Sequence, residues 1–501
     1  MFRKILIANR GEIAVRIIRS CREAGIPVVA VYSTVDRDGM HVEYADEAVC
    51  IGEPAPLESY LNIPKILQVA KERGCDAIHP GYGFLAENPR FAKACEEAGI
   101  TFIGPTSEAI RLLGNKVESR EKMGAAGIPL IPGMMSTSTD NQEIAKEAEK
   151  IGFPVLIKAA AGGGGKGMRV VKDPKDIISG LEAARRESKA AFADDTVYLE
   201  KYLEEPRHIE FQILADHHGN VIHLNERECS IQRRHQKIVE ETPSTALTSE
   251  LRKRMGDTAV HVAKIAGYRN AGTVEFLLDK DKNFYFLEVN TRIQVEHPVT
   301  ECTTGVDLVA QQLRVAAGEP LALKQEDVKP RGHAMECRIY AEDPVHGFLP
   351  SSGPLLLVQE PVGPGIRVDS GIRTGMTISV HYDPILSKLI CWGENREAVC
   401  HRMIQALNNY VILGVETIIP FLKDIIKHPE FQKGNTTTGF IPKFLTPWQP
   451  ESQKDGELAL QALVAAGLWR HLHKPNSKVV GLERVPSPWQ TIGSWQIGKT
   501  A

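Results

Sequence analysis

Two neighbouring segments decide the fold: Gly272-Thr-Val-Glu-Phe-Leu-Leu-Asp279 and Phe284-Tyr-Phe-Leu-Glu-Val-Asn-Thr-Arg-Ile-Gln-Val-Glu-His297. Both are rich in β-branched and aromatic residues, and the stretch between them, Asp279-Lys-Asp-Lys-Asn283, has the composition of a turn. We therefore predict a β-hairpin with its turn centred between residues 281 and 282. Antiparallel pairing then places Glu275 opposite Glu288.

The polar residues of this hairpin predict a cation site. Like charges directly opposite each other on a sheet repel, so the two facing glutamates call for a cation. Carboxylates and an amide oxygen, with nucleotide phosphates completing the shell, are typical ligands of Mg²⁺. The alternation predicts one continuous polar face on the strand, formed by Glu288, Asn290, Arg292, Gln294 and Glu296. A solvated strand face is the competing interpretation, although lysine, threonine and serine are more usual there.

Upstream lies a glycine-rich segment, Lys158-Ala-Ala-Ala-Gly-Gly-Gly-Gly-Lys-Gly-Met168. Glycines let backbone N–H groups approach phosphate oxygens closely, although a flexible loop has the same composition. A Walker A loop is excluded, because it needs glycine at 160 and serine or threonine at 167, where the chain has Ala160 and Gly167. Prolines and a Ser/Thr-rich stretch punctuate this region, which predicts a mobile lid over residues 130–203.

The first hundred residues alternate short β-rich runs with helical patterns. The runs are 5–8, 28–32, 77–78 and 102–103, with a helix expected around 60–73. Such alternation predicts a doubly wound parallel α/β unit. A nicotinamide-binding unit is excluded, since the first turn, Ala8-Asn-Arg-Gly-Glu12, has one glycine where that fingerprint needs three.

At 501 residues the chain is too long for a single hydrophobic core, and its composition and pattern of predicted elements change along its length. We predict an N-terminal α/β domain over 1–113, a second α/β domain over 114–330 that contains the lid, and a third over 331–446. An accessory tail, 447–501, carries an Ala/Leu-rich helical pattern over 457–472 together with Trp469, Trp489 and Trp495.

The composition excludes several functional classes. The net charge of −3 removes the main electrostatic reason to expect nucleic acid or an anionic membrane as a partner. No apolar run approaches the roughly 18 residues that a membrane span needs. The nine cysteines are scattered without a C-x-x-C pair, which indicates reduced thiols. With no hydrophobic leader at the N-terminus, we expect a cytoplasmic protein.

A charged run, Glu226-Arg-Glu-Cys-Ser-Ile-Gln-Arg-Arg-His-Gln-Lys237, has two interpretations. It is either an exposed face, which is the usual place of such runs, or part of the site. The run by itself does not decide between them.

Six blocks of the sequence resemble the biotin carboxylase component of biotin-dependent carboxylases. They are Ile7-Ala-Asn-Arg-Gly-Glu-Ile13, His79-Pro-Gly-Tyr-Gly-Phe-Leu-Ala-Glu-Asn88, Arg227–Lys237, Asn290-Thr-Arg-Ile-Gln-Val-Glu-His297, Cys337-Arg-Ile-Tyr-Ala-Glu-Asp343 and Tyr382-Asp-Pro384. The blocks follow the family's order and cover residues 1–446. The resemblance implies the ATP-grasp fold, which agrees with the lid and the hairpin.

The resemblance also implies roles for individual residues. Those matching nucleotide contacts are Lys116, Lys158, Gly164, Gly165, Glu200, Lys201, Leu203, His208, Gln232, His235, Glu275 and Glu288. Those matching the metal site are Glu275, Glu288 and Asn290. Those matching the bicarbonate pocket are Lys237, Arg292, Gln294, Val295 and Arg338. Glu296 matches the general base that deprotonates bicarbonate, and Lys237, Arg292 and Arg338 complete the catalytic set. Arg338 and Tyr82 match the biotin pocket.

The implied activity is ATP-dependent activation of bicarbonate through carboxyphosphate, followed by carboxylation of biotin. ATP, Mg²⁺ (or Mn²⁺), bicarbonate and carrier-bound biotin are the expected cofactors and substrates. Three positions depart from the family's usual pattern: Ser352 within Phe348–Gly353, Ile418 and His381. They leave the surfaces and dimer contacts of the C-terminal region open, and none belongs to the ATP or bicarbonate set.

The family carries biotin on a lysine in a Met-Lys sequence, and none of the ten methionines here is followed by lysine. We therefore expect biotin on a separate biotin carboxyl carrier protein. The resemblance implies a homodimer within a larger complex that also contains a carboxyltransferase subunit. An acyl-CoA carboxylase is the first expectation and the biotin carboxylase component of a pyruvate carboxylase the second, and the sequence leaves the acceptor open. Another ATP-grasp ligase would lack the Arg338 segment. A non-enzymatic nucleotide-binding subunit would have lost part of the catalytic set.

Overall fold

The computed structural model describes residues 1–134, 140–159, 168–192, 194–450 and 464–469. The chain divides into two compact units, Met1–Trp448 and Gln449–Ala501. Within the second unit, residues 464–469 are helical, and the rest of the predicted helix over 457–472 lies outside the described residues.

The N-terminal region is built on a five-stranded parallel sheet, as predicted. Its elements are β1 (Ile5–Ile7), α1 (Gly11–Glu23), β2 (Val28–Ser33), α2 (Met40–Tyr44), β3 (Glu47–Gly52), α3 (Ile63–Glu72), β4 (Ala77–His79), α4 (Pro89–Glu97), β5 (Thr101–Phe102), α5 (Ser107–Gly114) and α6 (Lys116–Ala125). The strand order is β3-β2-β1-β4-β5. Every residue of β1 is buried, as expected of a strand covered on both faces. The edge strand β3 was not among the predicted strands.

The predicted lid region contains its own small sheet. Its elements are α7 (Asn141–Ile151), β6 (Val155–Ala159), β7 (Arg169–Val171), α8 (Ile177–Phe192) and β8 (Val197–Lys201). The three strands pair antiparallel in the order β7-β6-β8. A separate apolar cluster stabilises them, with Ile144, Ile157, Leu181 and Leu199 fully buried. The glycine run, including Gly164 and Gly165, lies outside the described residues.

An eight-stranded antiparallel sheet forms the centre of the molecule. The elements that follow the lid are β9 (Arg207–Ala215), β10 (Val221–Arg233), β11 (Gln236–Thr242), α9 (Ser249–Ile265), β12 (Asn270–Leu278), β13 (Phe284–Asn290), α10 (His297–Thr304), α11 (Leu308–Ala316) and β14 (His333–Tyr340). The sheet order is β13-β12-β9-β10-β11-β14, continued by two later strands.

The C-terminal region completes this sheet and covers it with helices. Its elements are β15 (Glu342–Asp343), β16 (Leu349–Pro350), β17 (Gly353–Pro354), β18 (Leu357–Gln359), β19 (Ile366–Ser370), β20 (Thr377–Ile378), β21 (Ile385–Gly393), α12 (Arg396–Asn409), β22 (Val411–Leu413), α13 (Ile419–Lys427), α14 (Pro429–Gln432) and α15 (Phe440–Phe444). Strands β21 and β19 extend the sheet beyond β14. The sheet therefore contains strands from both sides of the predicted boundary at residue 330. The domain boundaries inside the first unit stay a prediction.

The hairpin β12–β13 has the predicted pairing at its functional end. Glu275 lies opposite Glu288, and Thr273 lies opposite Asn290. Nearer the turn, Phe276 pairs with Phe286, so Leu287 is an extra residue that shifts the register by one. The turn is accordingly centred on residue 281 rather than between 281 and 282.

The predicted continuation of this strand to residue 297 is wrong. Strand β13 ends at Asn290, and the chain leaves the sheet before α10 begins at His297. Pro298 lies in the first turn of α10, where its missing N–H costs no hydrogen bond. None of the helices in the described ranges is both long and apolar enough to cross a membrane.

Candidate active site

A cavity of about 1680 Å³ opens between the small lid sheet and the hairpin face of the central sheet. Seventeen of the residues singled out in the sequence line it: Tyr82, Lys116, Lys158, Glu200, Lys201, Leu203, His208, Gln232, His235, Lys237, Glu275, Glu288, Asn290, Arg292, Gln294, Val295 and Arg338. Glu296 is fully buried and lies directly behind Lys237 and Arg338 in this wall.

Lys237 lies at the centre of the wall among three carboxylates. Its Nζ donates to Glu275 Oε1 at 2.7 Å, to Glu296 Oε1 at 2.8 Å and to Glu210 Oε2. Neighbouring strands bring these groups together, since Glu210 on β9 pairs directly with Glu275 on β12. Glu210 was missed in the sequence analysis. Its partners come from three other strands, and no local pattern marks it.

Arg338 approaches Glu296 from the other side. Its guanidinium donates to Glu296 Oε2 at 3.0 Å and to Glu240 Oε1 at 2.5 Å. Glu240 lies on β11 and Arg338 on β14, two strands that pair side by side. The two oxygens of Glu296 are thus held by two different cations. Such charge-assisted hydrogen bonds fix the orientation of the carboxylate.

The electrostatics of this cluster separate its carboxyls into two kinds. Burial alone would raise the pKa of Glu296, but Lys237 and Arg338 hold it well below its ordinary value. Burial raises the pKa of Glu240 to about 7 although Arg338 opposes this, and burial together with the Glu296 charge raises the pKa of Glu210. Burial lowers the pKa of Lys237, and the surrounding carboxylates more than offset it. Glu296 is therefore ionised at neutral pH, as a general base must be.

The predicted metal ligands lie together at the hairpin. Asn290 donates its Nδ2 to Glu275 Oε1 at 2.8 Å, and Lys116 Nζ lies 3.7 Å from Glu288 Oε2. Glu288 is partly exposed to the cavity. Two facing carboxylates and an amide oxygen are hard donors that fit Mg²⁺ or Mn²⁺. His208, Glu210 and Glu275 also have ligand atoms within 4.8 Å of one another, and Lys237 Nζ donates to both of these carboxylates.

Arg292 lines the cavity next to this hairpin. It donates to Asn290 Oδ1 at 3.1 Å, to Gln294 Oε1 at 3.1 Å and to Glu87 Oε2 at 2.9 Å. Gln294 in turn donates to Glu275 Oε1 at 3.2 Å. Although the chain is no longer a strand here, its polar side chains still converge on the hairpin. Glu87 belongs to the block 79–88, and only the structure reveals its contact with Arg292.

The opposite end of the cavity is lined by the lid sheet. Glu200 is buried and accepts from Lys158 Nζ at 2.9 Å and from Arg120 at 2.6 Å. Lys201 donates its Nζ to the carbonyls of Gly152 and Phe153 instead of projecting freely into the cavity. Arg120 was missed, because its contact with Glu200 joins a helix and a strand that are far apart in the sequence.

Two histidines approach the cavity from the central sheet. His208 Nε2 lies 3.2 Å from Glu275 Oε2. His235 lies in the two-residue turn between β10 and β11, where it and Arg234 have positive φ angles of 68° and 50°. Both residues of a two-residue I′ hairpin turn adopt such angles. Burial and the nearby Lys158 lower the pKa of His235, so its imidazole is neutral at pH 7.

One further prediction has a clear outcome. The interpretation of 226–237 as an exposed face is wrong, because Arg227 is fully buried and donates to Glu210, Gln212, Thr273 and Thr300. Tyr82, which also lines the cavity, donates a hydrogen bond from its hydroxyl to Glu12 of α1.

Comparison with known proteins identifies three matching families along the chain. Residues 1–110 match the family described as "Biotin carboxylase, N-terminal domain". Residues 115–324 match "Carbamoyl-phosphate synthase L chain, ATP binding domain", and residues 336–443 match "Biotin carboxylase C-terminal domain".

Individual proteins resemble the chain over most of its length. A pyruvate carboxylase subunit of Methanothermobacter thermautotrophicus is 54% identical over 454 residues, which are 91% of this chain and 92% of that protein. The mitochondrial methylcrotonoyl-CoA carboxylase α-subunit of Dictyostelium discoideum is 49% identical over 499 residues, 99% of this chain and 70% of that one. The crystal structure of the biotin carboxylase domain dimer of Hydrogenobacter thermophilus 2-oxoglutarate carboxylase, in complex with MgADP, ADP and bicarbonate, superposes with a TM-score of 0.86. It is 50% identical and covers 88% of this chain and 98% of that chain.

Proposed function

The chain belongs to the biotin carboxylase family and is an ATP-dependent ligase, and we propose that it carboxylates biotin presented by a separate carrier protein. The observation that carries the proposal is the arrangement around Glu296. Two cations that line the cavity, Lys237 and Arg338, hold a buried and ionised carboxylate between the hairpin and the C-terminal strands.

We propose that ATP occupies the part of the cavity beneath the lid sheet. Lys116 and Lys158, with Gly164 and Gly165 of the glycine run, would contact its phosphates. Glu200, Lys201 and Leu203 would contact the adenine, and His208, Gln232 and His235 complete the nucleotide site. Glu275, Glu288 and Asn290 would hold Mg²⁺ or Mn²⁺. When bound, the metal ion neutralises phosphate charge and polarises the transferred phosphoryl group.

Bicarbonate would occupy the adjoining pocket of Lys237, Arg292, Gln294, Val295 and Arg338. Bicarbonate is a poor nucleophile, and Glu296 would take its proton as its oxygen attacks the γ-phosphate. The products of that step are ADP and carboxyphosphate, a charge-dense species that guanidinium groups such as those of Arg292 and Arg338 bind well. Carboxyphosphate would then pass its carboxyl group to N1 of biotin as its C–O bond to phosphate breaks, and the released phosphate would take the N1 proton. Arg338 would stabilise the enolate oxygen of biotin in this step, with Tyr82 at the rim of the biotin pocket.

For the acceptor, we propose an acyl-CoA carboxylase of the acetyl- or propionyl-CoA type. The alignment with the Dictyostelium methylcrotonoyl-CoA carboxylase α-subunit extends over 499 residues and so includes the tail, which supports an acyl-CoA as the acceptor without distinguishing which one. The alignment with the Methanothermobacter pyruvate carboxylase subunit covers 454 residues. The higher identity of the latter, 54%, supports pyruvate carboxylase as the second candidate.

The remaining partners follow from the same assignment. We propose a homodimer that works with a biotin carboxyl carrier protein and a carboxyltransferase subunit. All nine cysteines are free, which fits the reducing cytoplasm.

The first test uses the purified chain. We expect slow bicarbonate-dependent ATP cleavage, weak stimulation by free biotin and strong stimulation by a biotinylated carrier, because tethering raises the effective concentration of biotin. The same carrier without biotin is the matched control. Equal rates with both carriers, or a covalent biotin on this chain by intact mass, would contradict the proposal.

The second test concerns the acceptor. The carboxyltransferase that co-purifies with the chain should move labelled carboxyl groups from the carrier to acetyl-CoA or propionyl-CoA. Transfer to pyruvate instead would favour the second candidate. Removal of everything after Trp448, where the first unit ends, should leave carboxylation of free biotin intact and weaken assembly with the partner subunits. Equal loss of both, or of neither, would count against a docking role for the tail.

A further inference from the structure

A fully buried lysine lies behind the catalytic wall and belongs to none of the groups assigned above. Lys388 on β21 has no exposed side-chain surface. Its ammonium lies 3.1 Å from Glu12 Oε2 and 3.6 Å from Asp369 Oδ2, and it donates to the carbonyl of Val295 at 3.1 Å. A buried charge is costly unless it is paired and hydrogen-bonded. The position of this lysine is therefore closely determined by its partners.

The sheet register places Lys388 directly beside the reaction site. Lys388 pairs opposite Arg338 on β14 and opposite Asp369 on β19, so the three side chains form a row on one face. The positive charges of Lys388 and Arg338 repel each other, and each is compensated by its own pair of carboxylates. Glu240 and Glu296 bind Arg338, while Glu12 and Asp369 bind Lys388.

The contact with Val295 bears on Glu296 itself. The carbonyl of Val295 and the N–H of Glu296 belong to one planar peptide group, so fixing the carbonyl fixes the plane from which the Glu296 side chain departs. On its other side, Lys388 is paired with Glu12, which accepts a hydrogen bond from the hydroxyl of Tyr82. One ammonium group thus connects the backbone at the proposed base with the proposed biotin pocket.

We propose, on the basis of the function above, that Lys388 is a positioning residue. It holds the Val295–Glu296 peptide in the orientation that presents the Glu296 carboxylate to bicarbonate, and through Glu12 it keeps Tyr82 in place at the biotin pocket. It does not touch a reacting atom. Its effect on the rate is exerted through Glu296 and Tyr82.

The test is Lys388→Met, which keeps the length of the side chain and removes the charge and the donor. A misplacement of about 1 Å at a reacting group can cost about a hundredfold in rate. We expect kcat for biotin-dependent ATP cleavage to fall roughly ten- to a hundredfold. The KM for ATP should stay within about threefold, because the contacts of Lys388, to Glu12, Asp369 and Val295, include none of the residues proposed for the nucleotide.

Arg367→Met is the matched control. Arg367 pairs with Asp369 at 2.7 Å and with Glu301 at 2.8 Å, so this variant removes a cation from the same buried cluster. We expect it to lower Tm by about as much as Lys388→Met does, and to leave kcat within about threefold of wild type. A purely structural role for Lys388 would make the two variants alike in both measurements.

The outcomes separate cleanly. A kcat for Lys388→Met within twofold of wild type, or an equal kcat loss in both variants, overturns the inference and leaves the proposed function standing. A wild-type chain without biotin-dependent ATP cleavage refutes both. If Lys388→Met does not fold, the double variant Lys388→Met/Asp369→Asn, which removes one charge of each sign, replaces it and must show the same loss of kcat. A double variant with wild-type kcat refutes the inference equally.

Discussion

Replacing Glu296 by glutamine removes the proposed general base and changes almost nothing in its shape. The carboxylate accepts from Lys237 at 2.8 Å and from Arg338 at 3.0 Å, one cation on each oxygen. An amide can still accept from one of them, but its NH₂ group faces the other cation without being able to accept. We therefore expect Glu296→Gln to abolish proton transfer and to loosen one of the two flanking side chains.

The size of the effect follows from those two losses. A positioned general base contributes about a hundredfold to ten-thousandfold, which corresponds to about 2.7 to 5.4 kcal/mol of transition-state stabilisation. Lys237 retains Glu210 and Glu275, and Arg338 retains Glu240, so neither cation is left without a buried partner. We expect kcat to fall at least about a hundredfold while the fold is preserved.

Biotin-dependent ATP cleavage at saturating ATP and bicarbonate measures this directly. Glu241→Gln is the matched control, since Glu241 is equally buried and follows Glu240 on β11. It pairs with His333 and Arg396, on the other face of the sheet from the cavity wall. Glu241→Gln should keep kcat within about threefold and lose stability instead. If Glu296→Gln turns over at a near wild-type rate with unchanged KM values, the role given to Glu296 is wrong.

Three further predictions concern other parts of the molecule. Arg338→Ala should lower biotin-dependent ATP cleavage at least about a hundredfold, the scale of losing a transition-state charge partner, and a near wild-type rate with unchanged KM values would contradict this. Gly164→Val should raise the KM for ATP, and hydrogen exchange over 130–203 should slow with a non-hydrolysable ATP analogue; unchanged protection would refute closure of the lid. Burial would raise the pKa of Glu241, but His333 and Arg396 lower it from 4.5 to about 2. Its contribution to stability is therefore complete above pH 4.5 and lost as the pH falls towards 2. In urea unfolding, Glu241→Gln should be less stable by about 3 kcal/mol at pH 7, and a deficit that persists at pH 2 would show that the carboxylate charge is not its cause.

Sequence patterns predicted those parts of the fold that local interactions determine. The parallel N-terminal sheet follows from apolar runs such as Ile5–Ile7, and the hairpin follows from the turn composition around residue 281. The pairing of Glu275 with Glu288 was confirmed although the turn is displaced by half a residue. Leu287 accounts for both facts, because one bulged residue restores the register that the displaced turn would have shifted.

The alternation of polar residues after Asn290 predicted a strand where the structure has none, and the reason is physical. A period of two is the signature of a strand, but here the polar residues sit on a non-repetitive segment that ends in a helix starting at His297. Gln294 and Arg292 still reach the hairpin, because each bonds to a group on β12 or β13. The sequence thus predicted that these side chains lie together at the hairpin, but it assigned them to a strand that the structure ends at Asn290.

The site-contacting residues that the sequence did not predict have one feature in common. Glu210, Glu240, Glu12, Glu87 and Arg120 each bond to a site residue that is distant in sequence. Three of them, Glu12, Glu210 and Glu240, are buried carboxylates, which need cations as partners. Nothing in the local sequence shows which cation it will be. Strand order and register decide that, and both are long-range properties of the sheet.

The residues of the proposed site are divided between the central sheet and the separate lid sheet. Arg338 reaches Glu296 because β14 pairs with β11, although a domain boundary was predicted between these strands at residue 330. Glu296, Lys237 and Arg338 therefore all lie on or beside one continuous sheet. Lys158 and Glu200 lie instead on the separate three-stranded sheet with its own apolar cluster. A rearrangement of the predicted lid would therefore displace Lys158 and Glu200 together. The distances around Glu296 and the proposed nucleotide contacts on the central sheet, such as His208 and Gln232, would stay unchanged. The proposed chemistry needs a fixed base and a nucleotide that can enter and leave, and the predicted lid carries none of the proposed proton-transfer groups.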